Sequence, residues 1–132
     1  MNRPTPTTEH LGKSRSDKGR AAYEVGCSAE DGVAAEYQRR GYRLLNRRWC
    51  GEAGEIDLIF QNSHGIVCVE VKRARNFDAA FSRVTPRQQA RLFAAAEEYA
   101  AGQPGGTLTD IRFDVAAVDQ RGMIEILENA FA

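Results

Sequence analysis

The sequence of 132 residues lacks any long hydrophobic run, and this absence limits where the protein can reside. No segment approaches the roughly 18 to 20 apolar residues that cross a bilayer. Residues 1–20 also lack the apolar segment of a secretory signal. We therefore expect a soluble, cytoplasmic protein with no membrane partner.

Cysteine and histidine are scarce, which argues against several kinds of site. Cys27, Cys50 and Cys68 form an odd, widely spaced set without a C-x-x-C motif. Such a set fits neither a disulfide framework nor a tetrahedral zinc site, so we expect reduced thiols. His10 and His64 fall in predicted loops with no partnered Ser or Cys, which argues against a hydrolase triad.

The chain has no net charge, but its charges are unevenly distributed. It has 18 basic and 18 acidic side chains. Residues 72–91 carry six basic and one acidic side chain, and residues 1–48 carry ten and six. Positive segments can bind a polyanion even on a neutral protein. The charge pattern alone leaves a second interpretation open, in which these segments are simply solvated faces.

The length and hydrophobic pattern predict a single α/β domain. Residues 1–20 contain little apolar surface and are expected to form a flexible N-terminal arm, followed by one α/β domain over residues 21–132. Within it, periodicity predicts the order helix, three strands, helix and two strands. The predicted elements are helices over 21–40 and 86–101, and strands over 42–49, 55–60, 66–72, 108–118 and 123–127. This order predicts a mixed central β-sheet of about five strands flanked by helices.

Two segments, G-E-I-D-L-I at 54–59 and V-E-V-K at 69–72, carry the chemistry. Alternate residues of a strand share a face, so Glu70 and Lys72 point the same way and a hairpin can bring Asp57 beside them. Adjacent carboxylates suit Mg²⁺ or Mn²⁺, and an ammonium group can orient water or neutralise charge on a phosphate. The set predicts metal-assisted phosphodiester hydrolysis. Any amphipathic hairpin with Glu and Lys on its wet face fits the same spacing.

The motifs as a set resemble the bacterial YraN family of uncharacterised proteins across residues 24–131. They are G-x-x-x-E at 26–30, A-x-x-Y-x-x-x-G-Y at 34–42, N-R-R-W at 46–49, the two segments above, V-T-P-R at 84–87, R-F-D-V at 112–115 and E-N-A-F at 128–131. That family is similar to the restriction-endonuclease-like superfamily with PD-(D/E)xK active sites, and within it to archaeal Holliday-junction resolvases. The resemblance implies that fold, Mg²⁺ or Mn²⁺ as cofactor, DNA as partner and, for a junction resolvase, a homodimer.

The resemblance also implies site residues. Asp57, Glu70 and Lys72 occupy the catalytic positions, with Asp57 and Glu70 holding the metal. Glu30 matches an additional acidic residue that many members place against the metal site. The arginine-rich segments supply the residues that we expect to bind nucleic acid, namely Arg47, Arg48, Arg73, Arg75, Arg87, Gln88 and Arg91.

The sequence departs from the family pattern at two positions, where Ala29 and Gln88 replace the usual Gly and Lys. Gln88 lies three residues after Thr85, and a capping box is the favoured interpretation of that spacing. The alternative places its side chain near the catalytic lysine, as some superfamily nucleases do. Trp49 is expected to pack in the core and Asp114 to be a structural carboxylate rather than a metal ligand.

Three functions are consistent with these observations. The first is a metal-dependent DNA endonuclease acting on branched or junction DNA. The second is a non-catalytic nucleic-acid-binding module with a nuclease fold, acting in DNA repair or recombination through partners. The third is a purely protein-binding role. The complete set of two carboxylates and one lysine favours the enzyme.

Overall fold

The computed structural model describes residues 28–106 and 109–131. It begins in helix α1, which is helical over residues 28–39. The elements that follow are β1 (Arg43–Cys50), β2 (Glu55–Gln61), β3 (Ile66–Arg73), α2 (Phe77–Ser82), α3 (Pro86–Ala101), β4 (Ile111–Val118) and β5 (Ile124–Leu127). The predicted arm, residues 21–27 of the predicted first helix and residue 108 at the start of the predicted fourth strand lie outside the described residues.

The strands form one sheet of five strands in the order β1-β2-β3-β4-β5. The first three strands are antiparallel neighbours, β3 and β4 are parallel, and β4 and β5 are antiparallel. A parallel pair needs a crossover connection, and α2 and α3 supply it between β3 and β4. The expected mixed α/β fold is confirmed, and this architecture is compatible with a restriction-endonuclease-like fold.

The sheet is covered on both faces. On one face α1 packs Val33 and Tyr37 into a buried cluster with Phe60 of β2, whose ring stacks on Tyr37 at a centroid distance of 4.5 Å. On the other face α3 packs Ala96 and Tyr99 into a second buried cluster. Because β3 lies in the middle of the sheet, residues 66–70 are buried whichever face they point to. A charged residue at the end of this strand therefore needs partners.

Local signals fix most element boundaries. Gly41 follows α1 with φ of +95°, a conformation that glycine adopts at no steric cost. The Thr85 side chain accepts a hydrogen bond from the Gln88 backbone N–H at 3.2 Å and begins α3, as expected. Helix α2 was not expected, because no helix or strand was predicted between residues 72 and 86. Its N-cap is Asn76, whose side chain accepts from the Ala79 N–H at 2.8 Å.

Asp114 is a structural carboxylate, as expected. It is 1% exposed and accepts hydrogen bonds from the Tyr37 hydroxyl at 2.6 Å and from the Asn129 N–H at 3.1 Å. The Arg112 guanidinium donates to both of its oxygens, at 2.9 and 2.8 Å. Burial, together with the neighbouring Asp114 charge, raises the pKa of the Tyr37 hydroxyl. This network ties α1 to β4 and leaves Asp114 no part in the site described below.

Trp49 and the described cysteines also belong to the framework. The Trp49 ring packs edge-on against Tyr99 with centroids 5.3 Å apart, so its expected packing role is confirmed. Cys50 and Cys68 are free thiols. Burial raises the pKa of the Cys68 thiol to about 12, which keeps it neutral. Cys27 lies outside the described residues. Across the ranges that the structure describes, no helix has the length and apolar character needed to cross a bilayer.

Candidate active site

The hairpin of β2 and β3 brings Asp57 and Glu70 together. The last paired residues of its register are Leu58 and Val69, so Asp57 and Glu70 occupy the next opposing positions. Beyond that pair the regular backbone pairing of β2 with β3 ends. A side-chain hydrogen bond takes its place, because the Oδ2 of Asp57 accepts from the Val71 N–H at 2.9 Å. The first carboxylate is thus anchored to the backbone of the strand that carries the second.

Glu70 is the centre of a polar cluster. The residue is 8% exposed in the folded chain. Its Oε2 lies 3.0 Å from the Lys72 Nζ and accepts a hydrogen bond from the Gln88 Nε2 at 2.9 Å. The sequence-predicted Asp57, Glu70 and Lys72 are therefore brought together, and Gln88 joins them from α3.

The position of Gln88 corrects one interpretation of the sequence. A capping box would turn its side chain back to the N-cap residue, Thr85. The backbone N–H of Gln88 donates to the Thr85 hydroxyl, whereas the side-chain amide of Gln88 donates to Glu70. The favoured capping-box interpretation is wrong for this side chain, because its amide N–H donates to the buried, charged Glu70 carboxylate, and hydrogen bonds to an ionised acceptor are the stronger kind.

The paired carboxylates make this a strongly perturbed electrostatic environment. Burial, reinforced by the nearby charge of Glu70, raises the pKa of Asp57 to about 7. The Val71 N–H acts in the opposite direction, because it stabilises the charged form. At neutral pH the two groups resist carrying two negative charges without an added cation.

An open cleft of about 190 Å³ lies at this cluster. Its lining residues are Gly54, Glu55, Asp57, Glu70, Gln88, Arg91 and Leu92. Glu55 was missed as a site residue by the sequence analysis. The signal was present, because Glu55 and Asp57 are two residues apart in a strand and so share a face. Arg91, expected to bind nucleic acid, lines the wall opposite them.

Glu30 lies on α1 and is 7% exposed. Burial raises the pKa of Glu30, and the negative charge of Asp57 raises it as well. The hydrogen bond from Arg48 lowers it. Glu30 is thus within electrostatic reach of Asp57. The Nε of Arg48 lies 3.0 Å from its Oε1, and the Nη2 of Arg47 lies 4.0 Å from the same oxygen.

The arginines predicted to bind nucleic acid differ in their exposure and in their ion pairs. Arg47 is 11% exposed in its side chain and contacts Asp31 at 2.6 Å, and Arg48 contacts Glu30, so a phosphate contact by either would first require these ion pairs to open. Arg73 is half-buried. The exposed members of the set are Arg75, Arg87 and Arg91. DNA binding by any of these residues stays a prediction.

Glu98 was not predicted as a site residue. It connects α3 to the turn between β1 and β2. Its carboxylate accepts hydrogen bonds from the Glu52 and Ala53 N–H groups, each at 3.0 Å. These backbone bonds lower the pKa of Glu98. The turn between β1 and β2, which leads into Glu55 and Asp57, is thereby held on α3.

The donor set fits a hard divalent cation. Mg²⁺ commonly uses one or two protein carboxylates and retains water for its other positions. Asp57 and Glu70 supply such a pair, with charges that oppose each other until a cation joins them. Within the described residues no group of three His, Cys, Asp or Glu side chains is placed to hold a metal ion. The pair therefore depends on water or on a movement of Glu30 to complete a coordination shell.

Comparison with known proteins places the chain in a family. The family model described as uncharacterised protein family UPF0102 matches residues 29–118. The chain belongs to this family. A UPF0102 protein of Roseobacter denitrificans is 48% identical over 119 residues, covering 90% of this chain and 92% of the relative. Relatives from Ruegeria pomeroyi and Rhodopseudomonas palustris are 48% and 40% identical, over 90% and 84% of this chain and 97% and 85% of theirs.

The UPF0102 match confirms the YraN resemblance drawn from the motifs. The matched region contains all four residues that the resemblance placed in the catalytic site, namely Glu30, Asp57, Glu70 and Lys72. It extends from the second described residue of α1 to the end of β4. The family is described as uncharacterised, so membership establishes ancestry and leaves activity to be argued from the site.

Proposed function

We propose that the protein is a divalent-metal-dependent DNA endonuclease that hydrolyses phosphodiester bonds. The observation that carries the proposal is that Asp57 and Glu70 line one open cleft, while the Lys72 ammonium group contacts Glu70 at 3.0 Å. A buried carboxylate, Glu70, beside the half-buried carboxylate of Asp57 and in contact with an ammonium group is costly unless the site serves a ligand. Phosphodiester hydrolysis uses this combination of groups.

Each residue has a distinct part in the proposed reaction. Asp57 and Glu70 would hold the divalent ion, which supplies Lewis-acid activation of the scissile phosphate when bound. The Lys72 ammonium group neutralises charge that develops on the phosphate and orients the attacking water. Gln88 fixes the Glu70 carboxylate through its side-chain amide. Val71 fixes Asp57 through its backbone N–H.

The substrate side of the proposal rests on the exposed arginines of α3. Arg87 and Arg91 are four residues apart on this helix and so lie on one face, and Arg91 lines the cleft. Guanidinium groups beside the cleft would bind phosphates that flank the scissile one. Branched or junction DNA is the proposed substrate, with a cytoplasmic location and a homodimer that makes two symmetric nicks.

Cleavage of labelled four-way junction, flap and linear DNA by the full chain tests this proposal. Cleavage is expected with Mg²⁺ or Mn²⁺ and not with EDTA. Lys72→Met should lose about 100-fold or more of the single-turnover rate, because a charge-stabilising group is removed from the transition state. Arg43→Met is the matched control, since Arg43 is an exposed cation that contacts Gln61 at the far end of the β1–β2 hairpin.

Two results would contradict the proposal, the first its activity and the second its mechanism. One is the absence of hydrolysis on every substrate with either metal. The other is an unchanged cleavage rate in a folded Lys72→Met variant, which would remove Lys72 from the mechanism. Sedimentation analysis of the same samples tests the homodimer, because a monomer under cleavage conditions is inconsistent with paired nicking of a junction.

A non-catalytic nucleic-acid-binding module is the second candidate. One observation favours it, namely that Lys72 and Gln88 already satisfy the Oε2 of Glu70 without any ion. This module, acting in repair or recombination through partners, would bind DNA in Asp57→Asn and Glu70→Gln as in the wild-type chain. Its affinity would fall with salt, by a logarithmic slope of about 0.9 for each phosphate contacted on duplex DNA, and no metal would produce hydrolysis.

A further inference from the structure

Arg48 breaks the regular alternation of β1 beside the candidate active site. Its φ is +49°, in the left-handed region that residues other than glycine rarely adopt. Its neighbours Arg47 and Trp49 pair with Leu58 and Ile56 of β2. Arg48 therefore occupies the position across from Asp57, which is itself across from Glu70. We call these three residues the central row of the site, because they follow one another across β1, β2 and β3.

The unusual backbone has a consequence for where the side chains go. Consecutive residues of a regular strand point to opposite faces of the sheet. Arg47 and Arg48 instead both reach α1, where Arg47 contacts Asp31 at 2.6 Å and Arg48 contacts Glu30 at 3.0 Å. An arginine that only needed a partner could have found it without a left-handed backbone. The conformation at Arg48 is explained if its guanidinium must meet this particular glutamate.

Among the residues that the structure describes, the side-chain contacts of Glu30 use one of its two carboxylate oxygens. Both arginines approach the same oxygen, Oε1, at 3.0 and 4.0 Å. The residue is 7% exposed, so its rotamers are restricted by packing as well as by the ion pair. A carboxylate held through one oxygen can present the other to a cation or to a water on that cation.

We propose that Arg48 is a positioning residue, which holds Glu30 on the α1 side of the central row so that Glu30 takes part in binding the divalent ion through a water molecule on that ion. This inference rests on the proposed function, because it assumes that an ion binds there. A hydrogen-bonding partner behind a metal-binding carboxylate typically contributes 10-fold to 100-fold to metal affinity. Arg48 would contribute through Glu30 and would make no contact with the ion.

The test is Mn²⁺ affinity, measured by calorimetry and by the electron paramagnetic resonance signal of free Mn²⁺, on the full chain without DNA. Arg48→Gln should weaken binding by about 10-fold to 100-fold, and Arg48→Lys should fall between it and the wild type, since lysine keeps the charge without the guanidinium geometry. Glu30→Gln should weaken binding to a similar extent. In the Glu30→Gln background, Arg48→Gln should have no further effect.

Arg40→Gln is the matched control. It removes an arginine whose Nε contacts a glutamate of the same helix, Glu36, at 2.8 Å and leaves the central row intact. Its Mn²⁺ affinity should equal that of the wild type. A purely structural ion pair at Arg48 would instead lower stability in Arg48→Gln and leave Mn²⁺ affinity of the folded fraction unchanged.

Several outcomes would overturn the inference. One is a folded Arg48→Gln variant that binds Mn²⁺ with wild-type affinity. Another is a variant that binds Mn²⁺ more tightly, which would show that Arg48 competes with the ion for Glu30. Equal losses from Arg48→Gln in the wild-type and Glu30→Gln backgrounds would show that Arg48 does not act through Glu30. If Arg48→Gln does not fold, the same comparisons are made with Arg48→Lys. Mn²⁺ binding that depends on Asp57 and Glu70 but not on Arg48 overturns this inference alone, whereas no Mn²⁺ binding by the wild type overturns the metal-dependent enzyme as well.

Discussion

Replacing Asp57 with asparagine should make the protein more stable at neutral pH. The pKa of Asp57 is raised from its ordinary value of 3.8 to about 7, first by burial and then by the charge of Glu70. The folded chain therefore binds the Asp57 proton more tightly than the unfolded chain does. An asparagine has no proton to lose, and its Oδ1 can still accept the Val71 N–H that Asp57 accepts.

The sign and size of the effect follow from linkage. Below about pH 4 Asp57 is protonated in both states, and its stabilising proton is fully present. Between about pH 4 and pH 7 the unfolded chain has lost the proton while the folded chain keeps it, so the free energy of unfolding falls, and it levels off above pH 7. A shift of about three pKa units corresponds to a loss of about 4 kcal/mol by pH 8, at about 1.4 kcal/mol for each unit.

Urea unfolding at intervals between pH 4 and pH 8 measures this directly. The stability difference between Asp57→Asn and the wild type should be small at pH 4 and approach about 4 kcal/mol at pH 8. Glu70→Gln should also flatten the profile, because it removes the repelling charge. Glu125→Gln, an exposed carboxylate on β5, serves as the control and should follow the wild type. Parallel profiles for the wild type and Asp57→Asn would refute the argument.

Three further predictions concern the framework that positions the site. Asp114→Ala should lower the free energy of unfolding by about 3 to 5 kcal/mol in denaturant titrations, since it leaves the Arg112 and Tyr37 donors without their buried acceptor. Thr85→Ala should lower it by about 1 kcal/mol through loss of the α3 cap. Glu98→Ala should speed amide hydrogen exchange at residues 52 and 53 in NMR spectra, with exchange in β4 unchanged, because its carboxylate accepts both N–H groups. Wild-type exchange at residues 52 and 53 would show that Glu98 does not hold this turn.

The parts of the fold that the sequence predicted well depend on short-range signals. The alternation of residues 55–60 and 66–72 is a local property of each strand, and the two strands are joined by a short turn, so their pairing needed no distant information. Thr85 followed by proline marks the start of α3 in the same local way. The apposition of Asp57, Glu70 and Lys72 follows from that hairpin register. For this reason the centre of the site was predictable.

The parts that were missed depend on contacts between distant segments or on short elements. Helix α2 has only six residues, too few to show a helical period, although Asn76 was present as a capping signal. The side chain of Gln88 could choose between a local cap and a carboxylate 18 residues away, and no local rule ranks these partners. The ion pairs of Arg47 and Arg48 with α1 could not be expected from strand alternation, because the left-handed backbone at Arg48 breaks it.

The exceptions to local rules are concentrated at one place in the fold. Along the central row, Arg48 has a left-handed backbone that costs about 1 to 2 kcal/mol. In the same row Asp57 replaces a ladder bond with a side-chain bond, and its carboxylate lies beside that of Glu70. A chain selected for stability alone would carry neither feature. Asparagine at position 57 and a regular strand conformation at position 48 would each lower the free energy of the folded state. The Asp57 and Glu70 carboxylates line the open cleft, so a ligand that offsets their repulsion explains its persistence better than packing does. A divalent cation is the ligand whose charge would relieve the repulsion between Asp57 and Glu70.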